Sequence, residues 1–153
     1  MNRLECLCRA LLLAALVALA VPAARSHAQG LFDFEREPID YHRKPAVNVV
    51  SRLQERINAG KAGLKFSRPR GYLDSVLEQL KIPVSTQALV FSKSSAQLRK
   101  ISPSRPRALY FNDNAYVGWV QGGDVLEIIA ADPGLGSVFY TLKQEEAGKP
   151  LLV

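Results

Sequence analysis

The chain has 153 residues, a formal charge of +6 and two cysteines, Cys6 and Cys8. That length suffices for one domain with its own apolar core, so a disulfide-stapled miniprotein is excluded. Both cysteines lie near the amino terminus, so the rest of the chain offers no disulfide, thiol nucleophile or thiolate metal site.

Arg3 and Arg9 are followed by an unbroken apolar run from Ala10 to Val21, then by Pro22, Arg25 and Ser26. This charged, apolar, polar order is that of a secretory signal. The small residues of Ser26-His27-Ala28 predict cleavage between Ala28 and Gln29. The run is too short for the ~20 apolar residues of a membrane-spanning helix, and no cysteine follows it to take a lipid. The expected location is periplasmic or secreted, with no stable membrane anchor after cleavage.

Residues 1–28 are thus read as signal peptide and 29–44, polar and without a clear period, as an extended arm or linker. Pro45 suits a first helical turn, and Ala46, Val50, Leu53 and Ile57 recur at helical spacing up to Gly60. A second helix is expected after Pro69, with Leu73, Val76, Leu77 and Leu80 on one side and Pro83 closing it. Beyond Pro83 the helical period gives way to short β-branched and aromatic runs. The expected strands are Ala88–Phe91, Arg107–Phe111, Ala115–Gln121, Asp124–Ala131 and Val138–Lys143. Asn112-Asp113-Asn114, Gly122-Gly123 as a two-residue hairpin linker, and Asp132-Pro133-Gly134-Leu135-Gly136 supply the turns of an antiparallel meander. The expected fold class is therefore α+β: two N-terminal helices packed on a mostly antiparallel meander of about four to five strands, forming one domain over 45–144. The remainder, 145–153, ends in Pro150-Leu151-Leu152-Val153. That apolar tail reads either as one more strand packing back or as the point where a longer protein is cut short.

Removing residues 1–28 takes away Arg3, Arg9 and Arg25 against Glu5, which lowers the formal charge from +6 to +4. The remaining charge is uneven, basic from Lys61 to Arg107 and acidic from Ala108 to Gly148. Such a dipole could steer an anionic partner, but the preferred reading is that two parts of one domain complement each other. Glu127 sits in an otherwise apolar strand and needs a partner or a wet edge. Pairing with Arg105 or Arg107 would make the basic segment structural.

No set of residues specifies a reaction. His42 is the only histidine after the predicted cleavage point, which disfavours imidazole metal binding and a Ser-His-Asp arrangement. Asp113, Asp124 and Glu127 lie on or beside neighbouring strands, but turn chemistry accounts for the first two. Gly122-Gly123 lacks the strand, loop and helix context of a phosphate loop. Arg99, Lys100, Arg105 and Arg107 form a basic segment that could contact an anion or a partner. Nucleic acid is not the expected ligand of an exported chain, and Trp119 is read as packing.

Pro83–Lys93 and Ile101–Asp113, continued by Tyr116–Gly123 and Asp132–Leu142, resemble the amino-terminal region of a group of exported bacterial cytochrome c-like proteins. The resemblance spans about residues 60 to 144. In that group the haem-attachment sequence Cys-x-x-Cys-His follows shortly after the segment matching Phe139–Gln144, and this chain lacks it. Covalent haem needs both thiols and the adjacent histidine, so the resemblance implies no cofactor here, and haem c only if a downstream Cys-x-x-Cys-His region exists. The function so implied is a non-catalytic, haem-free region of a periplasmic electron-transfer protein, with a redox or envelope protein as partner. The alternative is a stand-alone binding module for an anionic ligand or cell-envelope polymer, using the four basic residues. An enzyme acting through Asp113, Asp124 or Glu127 ranks third.

Overall fold

Val125–Asp132 is the strand around which the rest is arranged, because its side chains alternate between a buried face and a partly wet one. A computed structural model describes residues 35–36, 39–91 and 94–153. The chain divides into a unit of Met1–Phe32, outside the described residues, and a second unit of Asp33–Val153. The predicted signal peptide and the Ala28/Gln29 cleavage point therefore also lie outside the described residues.

Five strands form one sheet: β1 (Ala88–Val90), β2 (Arg107–Phe111), β3 (Ala115–Val120), β4 (Val125–Asp132) and β5 (Gly136–Lys143). They lie in sequence order, each antiparallel to the next. The two helices among the described residues are α1 (Val49–Asn58) and α2 (Leu73–Gln79), of ten and seven residues.

These dimensions correct the expected fold class. The structure is mostly β, with a five-stranded antiparallel sheet as its frame and only two short helices among the described residues, in place of the expected α+β fold with two N-terminal helices as a main layer. Apolar periodicity extends further along the sequence than helix does. Ala62, Leu64 and Phe66 pack against the core from irregular chain, and Leu80 and Ile82 are buried just beyond α2. At Lys81 the backbone is left-handed, with φ 55°, and the Ile82 N–H bonds back to the Leu77 carbonyl, which closes the helix.

α1 also begins later than Pro45 suggested, because Asn48 is its cap. The Asn48 side-chain oxygen accepts from the N–H groups of Val50 and Ser51, while the Ser51 hydroxyl accepts from the Asn48 N–H. This reciprocal box satisfies the free amides of the first turn. Val50, Leu53 and Ile57 then face a core shared with Leu73, Val76 and Leu77 of α2 and with Tyr110, Val117, Leu126, Ile128 and Leu142 of the sheet. Each such aliphatic side chain contributes about 1.5–3 kcal/mol on burial.

Residues 39–44 run through turns rather than an extended arm, since the N–H groups of Arg43 and Lys44 both donate to the Asp40 carbonyl. The apolar tail packs back on β5. Thr141 and Val153 exchange backbone hydrogen bonds of 2.7 and 3.0 Å, and Leu152 is buried in the core.

Candidate functional site

The two faces of the sheet follow from strand parity. Ala108, Tyr110, Val117, Ile128 and Leu142 take the core face. On the other face, Arg107 of β2 pairs in register with Val120, and Gly118 of β3 with Glu127 of β4. This second face holds the residues from which a site can be built.

At its centre Arg107 Nη2 donates to Glu127 Oε2 across 2.8 Å, with the two side chains only 8% and 11% exposed. Gly118 makes the contact sterically allowable. A β-carbon there would stand 2.5 Å from Arg107 Nε, so the guanidinium lies against bare backbone. The segment before β2 closes over the acid. Ser95 Oγ lies 3.0 Å from both Glu127 oxygens, and the Ala96 N–H donates to Oε1 at 2.6 Å. Arg107 Nε is buried and has no hydrogen-bond partner. An unmet buried donor of this kind costs about 1–3 kcal/mol.

The same segment opens the β3–β4 hairpin. Gly122-Gly123 is not a two-residue linker, because the connection runs from Gln121 to Asp124. Buried Gln97 enters it, accepting from the N–H groups of Asp124 and Val125 and donating to the Val125 carbonyl at 2.9 Å. Gly122 supplies the left-handed turn, with φ 68°.

The four predicted basic residues therefore divide. Arg107 is an interior structural cation, and Lys100 pairs with Asp124 and the Gly122 carbonyl at the surface. Arg99 and Arg105 are exposed and form no ion pair among the described residues. Each of the two pairs joins the basic middle of the chain to its acidic last third, as the complementarity reading expects.

The candidate carboxylates separate as well. Asp113 is exposed in a turn held by Asn112, whose side-chain oxygen accepts from the N–H groups of Asn114 and Ala115. Asp124 is 77% exposed, and Glu127 is occupied by Arg107 and Ser95. Among the described residues no group of three or more His, Cys, Asp or Glu could hold a metal ion. His42 lies 3.8 Å from Glu35 and edge-on to Tyr41. Half-buried Trp119 packs against the core and lines a cavity of about 330 Å³ with Phe66, Arg68 and Gln144. Among the described residues no helix is long and apolar enough to cross a membrane.

Beside the ion pair the second face carries an uncovered apolar row. Phe111, Tyr116, Ile129 and Phe139 are successive register partners across β2, β3, β4 and β5. Phe111, Tyr116 and Phe139 are 39%, 50% and 67% exposed, and the first two rings stack at 5.6 Å.

Sequence reasoning missed Ser95 and Gln97, which sit in a polar stretch without periodicity. The available signal was indirect, namely that an acid in an apolar strand demands donors. Comparison of the chain with known families, curated proteins and solved structures found no match.

Proposed function

We propose that this chain is a non-catalytic, haem-free docking region of an exported cytochrome c-like electron-transfer protein, with a redox or envelope protein as its partner. The observation that carries the docking role is the row Phe111–Tyr116–Ile129–Phe139, presented by four paired strands. A rigid sheet offers such a row at little ordering cost, and aromatic side chains are favoured anchors at interfaces. The resemblance over residues 60–144 supports the cytochrome c-like context, and the signal-like amino terminus supports export.

Sequencing the locus past the Val153 codon in all three frames tests this reading. A nearby Cys-x-x-Cys-His supports it, whereas its absence from every frame removes the cytochrome context. If the motif is found, the downstream haem region expressed separately should bind the present chain, and Phe139→Ser should weaken that binding. Amino-terminal sequencing of the exported product should begin at Gln29.

A second reading rests on Arg99 and Arg105, which stay exposed while Lys100 and Arg107 are paired. In it the chain binds an anionic envelope polymer. Affinity for inorganic polyphosphate should then fall steeply with salt and be lost in Arg99→Ala/Arg105→Ala. Docking through the apolar row would instead be nearly indifferent to salt.

A further inference from the structure

The chain's one tryptophan, Trp119, is only half-buried. It packs against the core and also lines a cleft of about 330 Å³ with Phe66, Arg68, Pro69, Gly122 and Gln144. One side of that cleft is a tight loop. The Ser67 N–H donates to the Gly71 carbonyl at 2.9 Å, the Tyr72 N–H donates to Gln144 Oε1, and Phe66 meets Tyr72 edge-on at 5.1 Å. Gly71 is required there, because a β-carbon would collide with Gln144 Oε1. Arg68 is thus carried on a loop pinned at both ends. It is exposed, and its guanidinium forms no ion pair, hydrogen bond or cation–π contact among the described residues.

We propose that this cleft binds a small aromatic carboxylate, its ring beside Phe66 and Trp119 and its anionic end on the Arg68 guanidinium. Three observations set that ligand class. The volume lies at the lower end of the ~300–1,000 Å³ of small-molecule sites. Phe66 and Trp119 offer flat apolar surface, which suits a flat apolar body. The polar groups of the wall are unbalanced. None of the described residues lining it is acidic, and its one side-chain acceptor, Gln144 Oε1, is taken by the Tyr72 N–H, whereas Arg68 keeps its donors free. The Gly122 carbonyl is likewise taken, by Lys100. The hydroxyl donors of a neutral sugar would find no free side-chain acceptor here, while a carboxylate matches the planar fork of a guanidinium. The inference depends neither on the electron-transfer reading nor on the polymer reading, because the apolar row, Arg99 and Arg105 lie outside the cleft.

The test reads Trp119, which as the only tryptophan reports on the cleft alone. The purified chain is titrated with phenylacetate, with its neutral counterpart phenylacetamide, and with acetate, which keeps the anion and lacks the ring. Indole emission and the indole N–H resonance are followed in parallel. Phenylacetate is expected to change both signals saturably and to bind about tenfold more tightly than phenylacetamide, the scale of one hydrogen bond to a charged group. Acetate should leave both signals unchanged. Arg68→Gln, at an exposed position, should fold as wild type and bind phenylacetate no better than phenylacetamide. Equal affinity of the wild type for phenylacetamide, or unchanged binding of phenylacetate by Arg68→Gln, would mean that the guanidinium is not read. Acetate binding as tightly as phenylacetate would mean that the aromatic walls are not read. No saturable change in either signal would leave the cleft as solvated surface. Any of these four results overturns the proposal.

Discussion

Glu127 and Asp132 lie five residues apart on β4, so they point to opposite faces of the sheet, and both carboxylates are withdrawn from water. They are stabilised by different means. Glu127 has a cation, Arg107, supplemented by Ser95 and the Ala96 N–H. Asp132 forms no ion pair among the described residues and is held by neutral donors: the N–H groups of Val47, Gly134 and Leu135 and the Asn48 amide. Burial pushes the Asp132 carboxyl up, but the hydrogen bonds from Gly134, Val47, Leu135 and Asn48 together outweigh it and hold the group below the usual carboxylate range. A network of hydrogen bonds thus fastens α1 to the β4–β5 turn on the core face, while an ion pair fastens the 94–106 segment to the opposite face. Tyr140 joins the first network through Asn48, and burial raises its phenol above the usual value. An ion pair fails badly when one member is lost, whereas donors at a turn can be partly replaced by water.

The largest effect expected from this contrast is that of Arg107→Met, which leaves Glu127 charged and enclosed. It should cost about 3–5 kcal/mol in urea unfolding, while the double variant Arg107→Met/Glu127→Leu should recover most of that loss. If the single variant is no weaker than the double, the pair is not the fastening described. Asp132→Asn should cost less, about 2–3 kcal/mol near neutral pH, because hydrogen bonds to a charged acceptor are replaced by weaker or mismatched ones.

The pH dependence sharpens the same contrast. The folded value of Asp132 lies below the unfolded one, so the unfolded chain takes up the proton first as pH falls. The stability contributed is complete above about pH 4 and declines as pH drops through the folded value. Wild type and Asp132→Asn should therefore converge in stability below about pH 4, and a gap that is constant with pH would count against the charged form of the network. At the smallest end, Lys100→Ala removes a surface pair with Asp124 and should shift stability by less than about 1 kcal/mol. Phe139→Ser, on the open row, should likewise stay within about 0.5 kcal/mol, in contrast with Leu126→Ala in the core at about 2–5 kcal/mol, both read by thermal unfolding.

The strands were legible because β-branched and aromatic runs alternate with strong turn formers. The expected segments match β1 to β5 to within two residues at each end. The helices were less so. Periodicity detects which side chains are buried without specifying the backbone, so buried Leu80 carried the expected second helix past Gln79, where α2 ends. This is why the expected α+β balance gave way to a mostly β structure. In the site, Glu127's need for a partner was readable from its strand alone. That Arg107 answers it depends on strand register, and Arg107 opens β2 on the same face as Leu109 and Phe111. The wedge of Gln97 into the β3–β4 hairpin had no local signal, because its role arises from two backbone groups more than 25 residues away.

The return of the tail to β5 bears on the order of events during folding. Leu152 is buried with the residues of α1, and its N–H donates to Gln54 Oε1 at 2.7 Å, across a separation of 98 residues. The β-hairpins are local and can zip early, but α1 acquires its full set of neighbours only when the far end of the chain arrives. Until then Val50, Leu53 and Ile57 have an incomplete cover. A chain emerging from its amino end thus leaves the apolar stripe of α1 incompletely covered until residues 150–153 have followed.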